Sequence, residues 1–283
     1  MKKVRMKKDL TQGSVTGNML LFAAPMILGN LLQQFYNIAD TLIVGQFLGS
    51  GALAAVGSAY TLMTFLTSIL IGMCMGSGAL FSYYFGKKEE QKMKDSMRLS
   101  FLLTGGVTLL LNLLVMALRR PILRILQVPE ELTEMMHTYI WIIFLGIFFV
   151  FLYNYFAYLL RAVGNSVVPL YFLGSTALLN VVLDLVFVTL CSWDIAGAAA
   201  ATVIAQAVSG LGLMAYTWIR EPQLRFHLRP FTPEKGAAAE ILRFSFSSSV
   251  QQSVMNFGIL MIQGLVNSFG AEVMAAFAAA VKI

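Results

Sequence analysis

Charge is scarce in this sequence. Asp, Glu, Lys and Arg make up 12% of its 283 residues, hydrophobic residues make up 58%, and mean hydropathy is +0.75. Soluble domains carry about 25% charged residues, so an ordinary soluble globular protein is excluded. Cysteine is also scarce. Cys74 and Cys191 stand alone, each in or beside an apolar run, and neither matches a zinc or Cys-x-x-Cys spacing. No disulfide framework is expected, and both read as small packing residues. The two histidines, His137 and His227, lie at or outside the ends of apolar runs. No nucleophile–histidine pair, metal cluster or phosphate loop occurs, so no enzyme chemistry and no cofactor are expected. The net charge of +6 raises the question of nucleic acid. The basic residues fall in short segments between apolar runs, without a basic groove or interleaved aromatics, so no nucleic-acid partner is expected.

The chain does have long apolar runs. Seven spans are expected at about 18–47, 52–85, 99–118, 137–160, 169–190, 195–219 and 244–269. Each reaches the ~20 residues that cross a bilayer as helix. The start, MKKVRMKK, superficially resembles a signal peptide, but the run after it is long and contains Gln33, Gln34 and Asp40, so it reads as a retained first span. Ser14 or Thr16 is a candidate cap for that helix. Pro25 lies inside it and predicts a kink, a static one before a hinge. Gln33, Tyr36, Asn37 and Asp40 form a polar stripe at helical spacing. Gly72 and Gly76 in the second span predict close approach of another helix, and Gly164 suits a helix C-terminal cap. The segment 220–243, with Pro222, Pro230 and Pro233, reads as a linker between two halves. The many methionines read as adaptable packing.

The fifth span is the centre of the reading. Its stretch ALLNVVLDLVFV (177–188) is apolar except for Asn180 and Asp184, which lie four apart on one helix face. An acid at bilayer depth costs at least ~2.5 kcal/mol and usually faces a bundle interior or a wet cavity. Asp40 is a second lone acid in another span. Burial and mutual repulsion make such a pair protonatable and cation-accepting.

Orientation follows from Lys and Arg. With the N-terminus in the cytoplasm, the basic tail, the segment 86–98, Arg161 and the 220–243 linker are inside. Outside remain Arg119, Arg120 and Arg124, near Glu130, Glu131 and Glu134, with Lys282 close to the end. A weak internal repeat sets Gly49 and Ala54-Ala55 against Gly270 and Ala275-Ala276, the pattern of a parallel-repeat transporter.

Four stretches, APMILGNLLQQFYNIADTLIVGQFLG with ALAAVG after it, LLRAVGNSVVP, ALLNVVLDLVFV and DIAGAAAATVIAQ, make the chain resemble the multidrug and toxic compound extrusion (MATE) transporters along its whole length. The resemblance implies an all-α integral membrane protein, a polytopic bundle of two six-helix lobes. Here 1–219 would form the N-terminal six-helix lobe and 220–243 a cytoplasmic linker. Residues 244–283 would begin a truncated second lobe. It implies a secondary antiporter in the cytoplasmic membrane, expelling cationic amphipathic drugs in exchange for H+ or Na+, and monomeric when full length. The cation or proton site implied on spans 1, 5 and 6 falls on Asp40, Asn180, Asp184 and Thr202. The substrate cavity falls on Gln33, Tyr36, Asn37, Tyr139 and Asn154, and the kink on Pro25. One branch of the family places an acid in the seventh helix, whereas this chain has only amides and serines there, so a second-lobe cation site is not expected.

Other readings stay open at this stage. Thr202 can bond its own helix backbone, and Tyr139, near a span end, is as readily an interfacial aromatic. A lipid or oligosaccharide-lipid flippase of the same architecture needs a strongly basic cavity, and spans 1–6 hold no internal Lys or Arg. An intramembrane aspartyl protease needs contexts such as Gly-x-Gly-Asp, and neither Asp40 nor Asp184 has one.

Overall fold

The computed structural model describes residues 14–226 and 236–281. They form nine α-helices and, among the described residues, no strand: α1 (Val15–Phe47), α2 (Gly49–Gly86), α3 (Glu90–Ile125), α4 (Glu130–Leu145), α5 (Ile147–Ala162), α6 (Val167–Leu185), α7 (Asp194–Arg220), α8 (Ala237–Asn267) and α9 (Ala271–Ala280). Five are long and apolar enough to cross a membrane, six with the α4–α5 pair taken as one span. At ~1.5 Å per residue, α8 is long enough as well, but its serines and amides lower its hydropathy, and it does not pass the same test.

Local signals account for several boundaries. The Ser14 hydroxyl accepts from Gly17 N at 3.4 Å and caps α1. Pro25 lies inside α1, which continues as one helix through it. At the end of α5, Gly164 has φ +83°, Asn165 N donates to Leu160 O at 2.9 Å and Gly164 N to Arg161 O at 3.0 Å. This pair of bonds satisfies carbonyls that the helix leaves orphaned, and it needs a residue tolerant of the left-handed region.

The structure moves other boundaries. The expected charged loop 86–98 shrinks to three residues, because α3 begins at Glu90 and carries Lys92, Lys94 and Arg98. Gln91 and Asp95, and Lys92 and Glu89, pair along its first turns. Arg119, Arg120 and Arg124 likewise belong to α3 rather than to a loop. The fourth span is two helices bent by 43° at Gly146. A methyl group there would lie 2.5 Å from Gln206 Oε1 and 3.0 Å from Val203 Cγ2, so α7 packs against the bend. Asn112 Nδ2 donates to Phe144 O at 2.7 Å, satisfying a carbonyl beside the break. The fifth span ends in a π-turn, Val186–Leu190. Of the expected linker 220–243, Arg220 ends α7, Pro222–Leu224 is a 3-10 turn and Ala237 begins α8. His227, Pro230 and Pro233, like the basic N-terminal tail and Lys282, lie outside the described residues.

Two apolar clusters hold the bundle. One gathers Val44, Leu62, Leu70, Ile140, Phe144 and Ala199. The other packs Phe81, Met97, Phe151, Tyr155 and Phe156, with the Tyr155 hydroxyl donating to Met97 O at 2.5 Å. α1 lies on α6, where Gly29 meets Leu170 and Leu173 and the Ser166 hydroxyl donates to Phe22 O at 3.0 Å. The expected close approach at Gly72 and Gly76 is to α8. A methyl on Gly72 would lie 2.4 Å from Ser249 Cα, and one on Gly76 would lie 2.4 Å from Phe244 O. The seam is polar as well as tight. Ser245 Oγ donates to Met73 O at 3.2 Å, and Ser249 Oγ to Ile69 O at 3.0 Å. Farther along, Asn267 Nδ2 donates to Leu126 O at 2.7 Å and lies 3.1 Å from Ser58 Oγ. The segment after the linker is thus docked along α2.

Candidate cation site and adjoining cavity

Helix geometry brings the two lone acids together. Asp40 stands on α1, and Asn180 and Asp184 stand one turn apart on α6, the helix against which α1 packs. All three are buried, with Asp184 only 1% exposed. The carboxyl groups of Asp40 and Asp184 meet at hydrogen-bonding range. The Asn180 amide completes the floor, its nitrogen donating to Asp184 Oδ2 at 2.9 Å and its oxygen accepting from Thr202 N at 3.2 Å. The same amide lies 3.3 Å from Thr202 Oγ1 on α7. Thr202 therefore faces the acids' partner, whereas Thr217 on the same helix bonds its own backbone at Leu213 O. Asp184 Oδ1 has no hydrogen-bond partner among the described residues.

Three tyrosines surround the acids. The Tyr36 hydroxyl hydrogen-bonds Thr202. Asn37 Nδ2 donates to Tyr60 Oη at 3.4 Å and to Gln34 Oε1 at 3.2 Å. Tyr139 is buried within electrostatic reach of Asp40, Asp184, Tyr36 and Tyr60. It lies well inside the bundle, where the interfacial reading does not place it.

A cavity of about 260 Å³ opens beside this cluster, between α1, α2, α5, α6 and α7. Gln33, Tyr36 and Asn154 line it, and Asn180 and Thr202 join it to the acids. Asn37 and Tyr139 are not in its wall; Tyr139 stands with the acids, and Asn37 bonds Tyr60, which does line it. Pro25 belongs to neither group; it precedes Asp40 by about 22 Å of helix. Among the described residues, no Lys, Arg, Asp or Glu lines the cavity. The reading of the second span overlooked Tyr60, Thr64 and Thr67, which all line the cavity. Their spacing of four and three residues was the available signal, a polar stripe on a helix otherwise read only for its glycines.

All donors at the acid cluster are oxygens or an amide. Two carboxylates, an amide oxygen and a hydroxyl suit a proton or a hard cation, not a soft metal. No group of three or more His, Cys, Asp or Glu that could hold a metal occurs among the described residues.

Known proteins resemble this chain in sequence and in fold. The chain is 31% identical over 275 residues to "Probable multidrug resistance protein YpnP" of Bacillus subtilis, covering 97% of this chain and 61% of that protein. It is 24% identical over 263 residues to "Multidrug export protein MepA" of Staphylococcus aureus, covering 92% of this chain and 57% of that protein. The chain thus spans about three fifths of the length of the curated relatives it matches. Among solved structures, an inward-facing multidrug resistance MATE transporter superposes with a TM-score of 0.81 at 23% identity, over 88% of this chain and 57% of that one. An outward-facing one also gives 0.81, at 21% identity, over 99% and 68%. A family model described as MatE matches residues 25–186, which include Asp40, Asn180 and Asp184. With more than half of its length matched to that model, the chain belongs to the MatE family.

Proposed function

We propose that this chain forms the ion-coupled part of a secondary antiporter that exports cationic amphipathic compounds in exchange for protons or sodium ions. One observation carries the reading. Two carboxyl groups meet inside the helix bundle, on two apolar helices, braced by Asn180 and joined through Thr202 and Tyr36 to a neutral polar cavity. Two ionised carboxylates in contact repel, so the pair favours one shared proton or one bound cation. Residues Asp40, Asp184, Asn180 and Thr202 would hold Na+ if that is the coupling ion, supplying its oxygen ligands. The names of the relatives, multidrug resistance and multidrug export proteins, support the substrate class.

The coupling follows from the shared wall. Loading a cation on the acids removes a charge that otherwise holds water near Tyr36 and Thr202. α1 then packs more closely on α6 and narrows the cavity, and a bound drug loses its place. Exchange requires this competition, because two ligands that bound independently would have no coupling free energy. A flippase for anionic lipid headgroups fits less well, since no Lys or Arg lines the cavity. The test is drug efflux by the full-length carrier in vesicles, with the proton and sodium gradients varied separately. Efflux that follows one of the two gradients is expected, and efflux indifferent to both overturns the reading.

The proposal places the N-terminus and the 220–243 linker in the cytoplasm, by the excess of basic residues on that side. A cysteine introduced as Lys88→Cys, between α2 and α3, is therefore expected to resist an impermeant thiol reagent added to intact cells and to react once the cells are opened. Equal labelling in intact cells contradicts this orientation.

A further inference from the structure

On the orientation proposed above, on which this inference rests, the external end of α3 carries charges that the transport reading does not use. Arg120 and Arg124 lie one turn apart near the end of α3, and Glu130 and Glu134 one turn apart at the start of α4. These two edges, one basic and one acidic, face a groove of about 490 Å³ whose wall also includes Thr133 and His137. Among the described residues, no ion pair joins these arginines to these glutamates. His137 Nε2 is buried without a hydrogen-bond partner. The arginines also stand at the membrane end that the positive-inside rule empties of Lys and Arg. In the turns of α3 before them, Leu110, Leu114 and Leu118 form one exposed apolar face, so the groove caps a surface suited to acyl chains.

We propose that this groove binds the headgroup of a phosphatidylethanolamine in the outer leaflet, with Arg120 and Arg124 on the phosphate and Glu130 and Glu134 on the ammonium. A zwitterion meets both edges at once, its phosphate on the basic edge and its ammonium on the acidic one. The choice of ethanolamine follows from the wall chemistry. A primary ammonium donates three hydrogen bonds to carboxylates. A choline headgroup donates none, and its quaternary ammonium is recognised by aromatic cages, yet no Phe, Tyr or Trp lines this groove. A purely anionic headgroup satisfies the arginines and is repelled by the glutamates.

The test is lipid retention by the purified full-length carrier, measured by native mass spectrometry with phosphatidylethanolamine, phosphatidylcholine and phosphatidylglycerol of matched acyl chains. The wild type is expected to retain one phosphatidylethanolamine about tenfold more strongly than phosphatidylcholine, the worth of one good charge-assisted hydrogen bond. Arg120→Gln with Arg124→Gln should weaken retention of both lipids, whose phosphate is common. Glu130→Gln with Glu134→Gln should erase the preference while retention of phosphatidylcholine persists. All four side chains are exposed, so folding is not at stake; if a double variant still fails to purify, Glu134→Gln alone should reduce the preference. Equal retention of the three lipids by the wild type, or a preference that survives both pairs of substitutions, overturns the proposal. Displacement of the lipid by millimolar inorganic phosphate shows a simple anion site and overturns it too.

Discussion

Asp40→Asn in the full-length carrier is expected to leave a folded, membrane-inserted protein that has lost gradient-driven efflux by about 100-fold, near the upper end of coupling between two ligands. The substitution keeps the shape of the side chain and removes its ionisation, so it imitates the loaded site permanently. Asp184→Asn is expected to do the same, since the amide oxygen at that position can still accept from Asn180 Nδ2, now at 2.9 Å from Asp184 Oδ2. Because the two carboxyls meet, they act as one unit, and the double variant should be little worse than either single one. Asn256→Ala on α8 should be milder, since that amide bonds only its own helix at Gln252 O. Efflux driven by proton and sodium gradients, measured in vesicles at equal protein, decides the matter. Normal coupled efflux by Asp40→Asn would mean that the α1–α6 acids are not the coupling site.

Gly76→Ala is expected to destabilise the protein by about 3 kcal/mol, the upper range for inserting atoms into a packed interior. The added methyl would sit 2.4 Å from Phe244 O and 2.7 Å from Ser245 Cα, which are backbone and α-carbon atoms with no rotamer to yield. α8 has to move as a body, and the hydrogen bonds from Ser245 and Ser249 to α2 carbonyls lengthen or break. Gly264→Ala is the control. It lies in α8 with nothing within 4 Å of a new methyl, and alanine there should stabilise by about 0.5–1 kcal/mol. Thermal unfolding in detergent reads both, and limited proteolysis within α8 reports whether that helix has left α2. Equal stability of the two variants would mean that the α2–α8 seam does not hold the later part of the chain in place.

Much of this was legible in the amino-acid sequence. Scarcity of charge and long apolar runs determined a helical membrane protein, because a bilayer leaves backbone groups no partner but their own helix. A lone acid in such a run is costly wherever it stands, so Asp40 and Asp184 stood out in the sequence, and Asn180 did so by its place one turn before Asp184. Gly72 and Gly76 announced a close helix contact, and Gly164 announced a helix end, because both signals are local.

Only the tertiary structure decided what met what. That Asp40 and Asp184 touch depends on α1 lying on α6, a pairing of segments more than a hundred residues apart, which no local pattern encodes. That α8 is the partner of Gly72 and Gly76 has the same cause. The bend at Gly146 divided a run that reads as one span, because the reason for it sits on another helix, at Gln206 and Val203. Charged residues beyond an apolar run were read as loop, but α3 continues through Lys92 and Arg124 alike, since helix formation requires hydrogen bonding and not hydrophobicity. Tyr60 became part of the site only when α2 turned its face to α1. Hydropathy determined which segments enter the membrane; the packing of their faces decided which polar groups share a site there.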